Sequence, residues 1–213
     1  MEACVFDLDG VLVDSEPVWE EVRRAYVADH GGTWRPETQS RLMGMSTQEW
    51  AAYLHELGVP LPPEEIARQV VDAMAARYRE AIPFMPAARA AVRRLAERHT
   101  LGLASSSPRR LIDVVLDAAG LDDCFAATVS TEEVPRGKPA PDGYLEAAAR
   151  LGVDPRACVA VEDSSNGLRS AYAAGMRVVA VPHPRYPPAP DALELAWLVI
   201  DDLDGLTPET LEQ

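Results

Sequence analysis

Residues 3–10 read Ala-Cys-Val-Phe-Asp-Leu-Asp-Gly, an apolar run of strand character that drives into two carboxylates at i, i+2 with a glycine behind them. Burying Cys4, Val5 and Phe6 brings Asp7 to the carboxyl end of a strand, the edge at which open α/β sheets build their ligand crevices. Carboxylates gathered at such an edge repel one another and any anionic ligand, which suggests a bound hard cation such as Mg²⁺. Taken alone, Asp-x-Asp-Gly reads equally well as a strand that ends in an Asp-Gly turn.

The rest of the chain supplies the sheet this strand needs. From Pro86 a helix through His99 leads to a strand at 100–104, followed by a helix at 108–120, a strand near 126–130 and a helix at 141–151. A strand at 157–161, a helix ending near Gly175, a strand at 176–181, a Pro-rich loop at 182–190 and an edge strand at 196–200 complete the series. Strands that alternate with helices mean βαβ units and a doubly wound parallel sheet.

Between the first strand and this block, residues 16–81 read as helices only. Ser15 is placed to cap a helix carrying Val18, Val22 and Tyr26 at i, i+4 spacing and stopped by Gly31-Gly32. Ser46-Thr47-Gln48-Glu49 has capping-box form and opens a helix to Leu57, with Gly58 just past its end. Pro62-Pro63 starts another, with Ile66, Val70 and Met74 on one face. The expected organisation is an α/β core of residues 1–15 and 82–213, with a small all-helical domain of residues 16–81 inserted after the first strand.

Three further motifs fall just behind predicted strands, on the same edge as Asp7. Ser105 follows the run Thr100–Ala104, and Ser105-Ser106-Ser107-Pro108 reads as a helix start, either an anion site or plain capping. Lys138, in Arg-Gly-Lys-Pro-Ala-Pro, is the one lysine among 20 basic residues; the other 19 are arginines. A bias that strong, broken once, suggests a position that needs a compact ammonium. Glu162-Asp163 ends the run Cys158–Val161, as cation ligands or as capping acids before Ser164.

In this order and context the four motifs resemble the haloacid dehalogenase-like hydrolases, mostly Mg²⁺-dependent phosphatases, and within them the β-phosphoglucomutase and sugar-phosphate phosphatase branch. The resemblance spans nearly the whole chain. It implies a Rossmann-like core with a helical cap, and a role for each motif. Asp7 would attack phosphorus to give an aspartyl-phosphate, and Asp9 would protonate the leaving alcohol and later deprotonate water. Ser105, with the backbone N–H of Ser106, and Lys138 would bind the transferring phosphoryl group. Mg²⁺ would be held by Asp7, the backbone carbonyl of Asp9, and Asp163, with Glu162 acting through water. Asn166 and Gly167 would shape the loop after Asp163. Asp7 and Asp9 would share a face in a continuous strand, so the chain is expected to bend at Leu8-Asp9.

Substrate choice in this family comes largely from the cap. In the stretch Leu42-Met43-Gly44-Met45-Ser46-Thr47, Thr47 stands where the mutase carries an arginine for a second phosphate, and Trp19 stands where it carries a histidine. Both departures favour hydrolysis over isomerisation, with a small sugar or polyol monophosphate as the expected substrate. A β-phosphoglucomutase-type isomerase is the alternative. A haloalkanoate dehalogenase would need neither metal nor Asp9, and a phosphonate hydrolase would need a cap lysine. A non-enzymatic phospho-acceptor receiver shares the Asp, the acidic ligands and the Lys, but lacks a helical insertion after its first strand.

The net charge of −14 excludes nucleic acid and anionic membranes as natural partners, and means that a phosphate ester must be drawn in by a local cationic site. Cys4, Cys124 and Cys158 have no metal or redox spacing, and the four histidines have no ligand spacing, so neither is assigned chemistry. With a strand starting near Met1 and no long apolar segment, a cytoplasmic monomer is the expectation.

Overall fold

The structure, a computed structural model, describes residues 1–42 and 45–212; Met43 and Gly44, on which the comparison with the mutase was anchored, lie outside the described residues. Its elements in chain order are β1 (Ala3–Phe6), α1 (Glu16–Asp29), α2 (Thr38–Leu42), α3 (Thr47–Glu56), α4 (Pro63–Glu80), α5 (Ala88–Ala96), β2 (Thr100–Ser105) and α6 (Arg109–Ala119). There follow β3 (Phe125–Ser130), α7 (Asp142–Leu151), β4 (Cys158–Glu162), α8 (Ser165–Ala173), β5 (Arg177–Ala180), α9 (Pro190–Leu193), β6 (Leu198–Val199) and α10 (Pro208–Leu211). The chain divides into two compact units, residues 1–14 with 83–213, and residues 15–82.

In the first unit six strands pair in parallel in the order β3-β2-β1-β4-β5-β6. The parallel sheet explains the unbroken apolar runs of β1 and β4, whose residues are all buried because helices cover both faces. Ala3, Val5, Ala104, Ala160 and Val178 share a core with Tyr144 and Ala147 of α7 and Leu168 and Ala171 of α8. Cys4 and Phe6, at the alternate positions of β1, are buried too, and α5 and α6 bury Val92, Leu95, Leu111, Ile112 and Val115. Successive strands run outward from β1 to β2 and β3 on one side and from β4 to β5 and β6 on the other. The order therefore reverses between β1 and β4, and the carboxyl ends of those two strands are where such a sheet places its ligand crevice.

The first strand ends one residue before Asp7. Leu12 and Val13 N–H both donate to Leu8 O (2.8 and 3.0 Å), and Gly10 N–H donates to Val13 O at 2.7 Å, closing a tight loop over residues 8–13. This is the bend the two carboxylates require. Val13 then bridges Phe84 antiparallel, Asp14 N–H donates to Pro83 O at 2.8 Å, and Met85 N–H to Leu12 O at 2.9 Å, so the two crossings of the chain run side by side.

The regular elements among the second unit's described residues are all helices. Ser46 and Glu49 form the anticipated capping box (Ser46 N–H to Glu49 Oε2, 2.8 Å), and α4 buries Ile66, Val70 and Met74. Two expectations fail. Ser15 does not cap α1: its backbone is already helical (φ −80°, ψ −28°), whereas a cap needs an extended conformation to aim its oxygen at the first free N–H groups. The buried stripe of α1 is Trp19, Arg23, Tyr26 and Val27, not Val18 and Val22. The larger ring wins the interior, with Trp19 packed 6.0 Å from Trp50 and the Arg23 guanidinium over both rings, at 4.4 and 5.0 Å from their centroids. The short helices α2, α9 and α10 were not anticipated. No helix among the described residues is long and apolar enough to cross a membrane.

Candidate active site

The carboxyl edge of the sheet collects the predicted residues from four separate segments: Asp7 and Asp9 behind β1, Ser105 at the end of β2, Lys138 between β3 and α7, and Glu162-Asp163 at the end of β4. Asp7 extends the β1–β4 ladder by one bond, its N–H donating to Val161 O at 3.0 Å, which fixes the root of its side chain beside β4. One carboxylate oxygen from each of Asp7, Glu162 and Asp163 lies within 4.8 Å of the others, and all three residues are buried. Lys138 meets this group from the opposite loop. Its ammonium donates to Asp7 Oδ1 at 2.7 Å and to Glu162 Oε1 at 2.5 Å, with only 8% of the side chain exposed.

Three carboxylates against one ammonium leave the cluster short of positive charge. Burial pushes the Asp7 carboxyl up to about 8, with Glu162 and Asp9 adding to the rise and Lys138 opposing it. Burial likewise raises Asp163 well above the ordinary carboxylate range, helped by Glu162 and Asp7. Lys138 is the converse: desolvation works against its charge, but Asp7 and Glu162 outweigh that and hold it firmly protonated. Asp163 Oδ1 is buried and meets no hydrogen-bond donor among the described residues. A buried, partnerless acceptor is costly unless something electropositive faces it. The donor set is all hard oxygen, as a divalent cation such as Mg²⁺ requires. These residues fit such an ion.

The other residues singled out in the sequence divide in ways the sequence did not reveal. The carboxylate of Asp9 stands outside the acidic group: its Oδ2 accepts from the Ser105 hydroxyl at 3.1 Å and the Ser107 hydroxyl at 2.7 Å. Ser105 is fully buried, and its Oγ also accepts the N–H of Ser107 at 2.9 Å. The Ser106 side chain points to solvent. None of the three serines caps α6, whose N-cap is Pro108; the hydroxyls of Ser105 and Ser107 are committed to Asp9. Glu162 has its lone pairs occupied. Besides Lys138, Oε1 accepts from the Tyr144 hydroxyl at 2.8 Å, and Oε2 accepts from the N–H groups of Asp163 and Ser164 (3.1 and 3.3 Å) and the Ser164 hydroxyl (3.2 Å). Ser164, not the acidic pair, caps α8 by accepting the Gly167 N–H at 3.1 Å.

Two glycines let these carboxylates sit where they do. A Cβ on Gly10, whose φ is +82°, would overlap the Asp163 carboxylate, and a Cβ on Gly167 would overlap that of Glu162. Sequence reading missed Ser107 and Tyr144. The signal for Ser107 was its i+2 spacing from Ser105; that for Tyr144 was an aromatic residue in the first turn of the helix that follows the sole lysine.

The family model described as haloacid dehalogenase-like hydrolase matches residues 1–175. Hexitol phosphatase B of Escherichia coli K12 is 36% identical, over 98% of this chain and 96% of its own length. The fructose-1-phosphate phosphatase of the same organism is 30% identical, over 83% of this chain and 94% of its own. The crystal structure of CbbY from Rhodobacter sphaeroides in complex with phosphate superposes with a TM-score of 0.87 at 26% identity, covering 100% of each chain. With the residues gathered at the sheet reversal and these matches together, the chain belongs to the haloacid dehalogenase-like hydrolases.

Proposed function

We propose that this hydrolase is a Mg²⁺-dependent phosphatase that cleaves a small phosphate monoester, a sugar or polyol phosphate, through an aspartyl-phosphate on Asp7. The observation that carries the reading is the gathering of Asp7, Lys138 and Asp163, from segments far apart in sequence, at the point where the strand order reverses. Asp7 and Asp163 would hold the ion together with the backbone carbonyl of Asp9, and Glu162, already occupied by protein donors, would reach it only through water. When bound there, Mg²⁺ offsets the charge of the phosphate and lets it approach a carboxylate.

The chain's own groups then divide the work. A carboxylate oxygen of Asp7 attacks phosphorus as the ester P–O bond breaks, and Asp9 gives its proton to the departing alkoxide. Lys138, fixed on Asp7, stabilises charge on the equatorial oxygens. Ser105 turns its hydroxyl from Asp9 to a phosphoryl oxygen, while the shorter bond from Ser107 keeps Asp9 in place. In the second half Asp9 takes a proton from water, the water oxygen attacks phosphorus, and inorganic phosphate leaves as the Asp7 carboxylate is restored. The substrate class rests on the relatives, which are named for hexitol and fructose 1-phosphate, and on Thr47 at the start of α3, where an arginine would favour a second phosphate.

The test is steady-state hydrolysis of p-nitrophenyl phosphate and a panel of sugar and polyol phosphates, with Mg²⁺ and with EDTA. The panel includes β-glucose 1-phosphate with its bisphosphate activator. Turnover should require Mg²⁺, and Asp7→Asn should abolish it while leaving the melting temperature near that of the wild type. Persistent turnover in Asp7→Asn overturns the mechanism. Isomerisation outpacing hydrolysis moves the assignment to a mutase, and absence of steady turnover moves it to a receiver.

A further inference from the structure

Tyr144 is fully buried, makes its one polar contact inside the acidic cluster, and is left without a task by the steps above. Its hydroxyl donates to Glu162 Oε1, the oxygen that also receives Lys138, and its ring lies beneath the same ammonium, 5.1 Å from centroid to Nζ. Burial and the neighbouring Glu162 and Asp7 carboxylates raise the phenol well above its ordinary range, so the group is an O–H donor and never a phenolate. The Glu162 carboxylate is thereby held at both ends, by Tyr144 on Oε1 and by the Asp163–Ser164 turn on Oε2.

We infer that Tyr144 is a positioning residue for the phosphoryl-transfer reaction: by sharing Glu162 Oε1 with Lys138, it keeps the ammonium seated on Asp7. The physical argument is a competition. Asp7 Oδ1 and Glu162 Oε1 bid for one ammonium, at 2.7 and 2.5 Å. A second donor on Oε1 withdraws part of its charge and fixes its direction, which balances the bids. Without the hydroxyl, Oε1 holds Lys138 alone and more strongly, and the ammonium shifts off Asp7, where the transition state needs it. The ring face sets the third side of the slot, contributing a cation–π attraction and excluding water.

This inference rests on the phosphatase reading, and the experiment separates their failures. The full-length chain is assayed on p-nitrophenyl phosphate at saturating Mg²⁺ as wild type, Asp7→Asn, Tyr144→Phe, Glu162→Gln and the Tyr144→Phe/Glu162→Gln double variant, with melting temperatures measured alongside. Tyr144→Phe keeps the ring and the packing, and should lower kcat about tenfold with KM within twofold, as loss of one hydrogen bond to a charged group in the transition state implies. Because the hydroxyl acts through Glu162, removing it from the Glu162→Gln protein should change kcat by less than about twofold, a non-additivity that a merely structural role does not give. Should Glu162→Gln fail to fold, the kcat-against-KM split of Tyr144→Phe decides alone. Unchanged kcat in Tyr144→Phe, a fall in melting temperature without a fall in kcat, or full additivity in the cycle overturns the inference while leaving the phosphatase intact. A wild type without Mg²⁺-dependent turnover, or an active Asp7→Asn, overturns the parent reading and this one with it.

Discussion

Substituting Gly167 by alanine sets two well-calibrated effects against each other. Gly167 is the third residue of α8, and in an exposed helix Gly→Ala stabilises by about 1 kcal/mol through backbone entropy. Here the new Cβ lands on the Glu162 carboxylate, overlapping its carbon and both oxygens, so the carboxylate must vacate its place. That breaks its contacts with Lys138, Tyr144 and the Asp163–Ser164 turn, all of them buried or partly buried. Disrupting a buried ion pair so that a charge loses its partner costs about 3–5 kcal/mol. The balance is a loss of about 2–4 kcal/mol, readable as a lowered urea midpoint at unchanged m value. For a chain of this length it amounts to a fall of roughly 5–15 °C in melting temperature. kcat should fall too, because Lys138 loses one of its two carboxylate partners. A Gly167→Ala protein as stable as the wild type, or more so, refutes the reasoning: helix propensity would then outweigh the collision, and Glu162 would have free space to move into.

Two further tests address charge and metal. Lys138→Met removes the only cation that the described residues place on the cluster and should lower kcat by about 10²–10³-fold, the usual cost of one transition-state donor; a kcat within tenfold of the wild type would show that the ammonium is dispensable. In EDTA, the folded protein retains on Asp7 a proton that the unfolded chain has lost between pH 3.8 and about 8, so its stability should fall as pH rises across that window. A fixed Mg²⁺ concentration, set at 100 times the dissociation constant at pH 8, should restore about 2.7 kcal/mol there and less at pH 6, where a proton on Asp7 weakens binding, seen as a larger gain in melting temperature at pH 8. An equal gain at both pH values would place the ion away from Asp7.

Much of this architecture was readable because its signals are local. The apolar runs ending at Phe6, Ala104 and Val161 mark buried parallel strands by composition, and a chain that alternates them with helices has few sheets to choose from. Lys138 stood out as a lone exception to an arginine bias. What escaped was whatever depends on partners distant in sequence. The turn of α1 followed Trp19 and Arg23, because ring packing against Trp50 decides which face is interior, and no spacing rule weighs a tryptophan against two valines. Ser105-Ser106-Ser107 matched a capping pattern, yet two of the hydroxyls serve Asp9, 96 and 98 residues earlier in the chain. Glu162 looked like one more ligand beside Asp163; its saturation by Lys138, Tyr144 and the following turn is a property of the assembled edge. The five-residue α2 and the four-residue α9 and α10 carry too little periodicity to be seen.

The backbone pairing that joins residues 12–14 to 83–85 gives the helical insertion of residues 15–82 an unusual independence. Because its entry and exit are already hydrogen-bonded neighbours, the sheet bears none of the entropy of closing that long excursion once the pairing is made. The strands therefore register with one another whatever the excursion contains. Helices there can be lengthened, shortened or exchanged wholesale without retuning the order of the sheet or moving the residues gathered at its carboxyl edge.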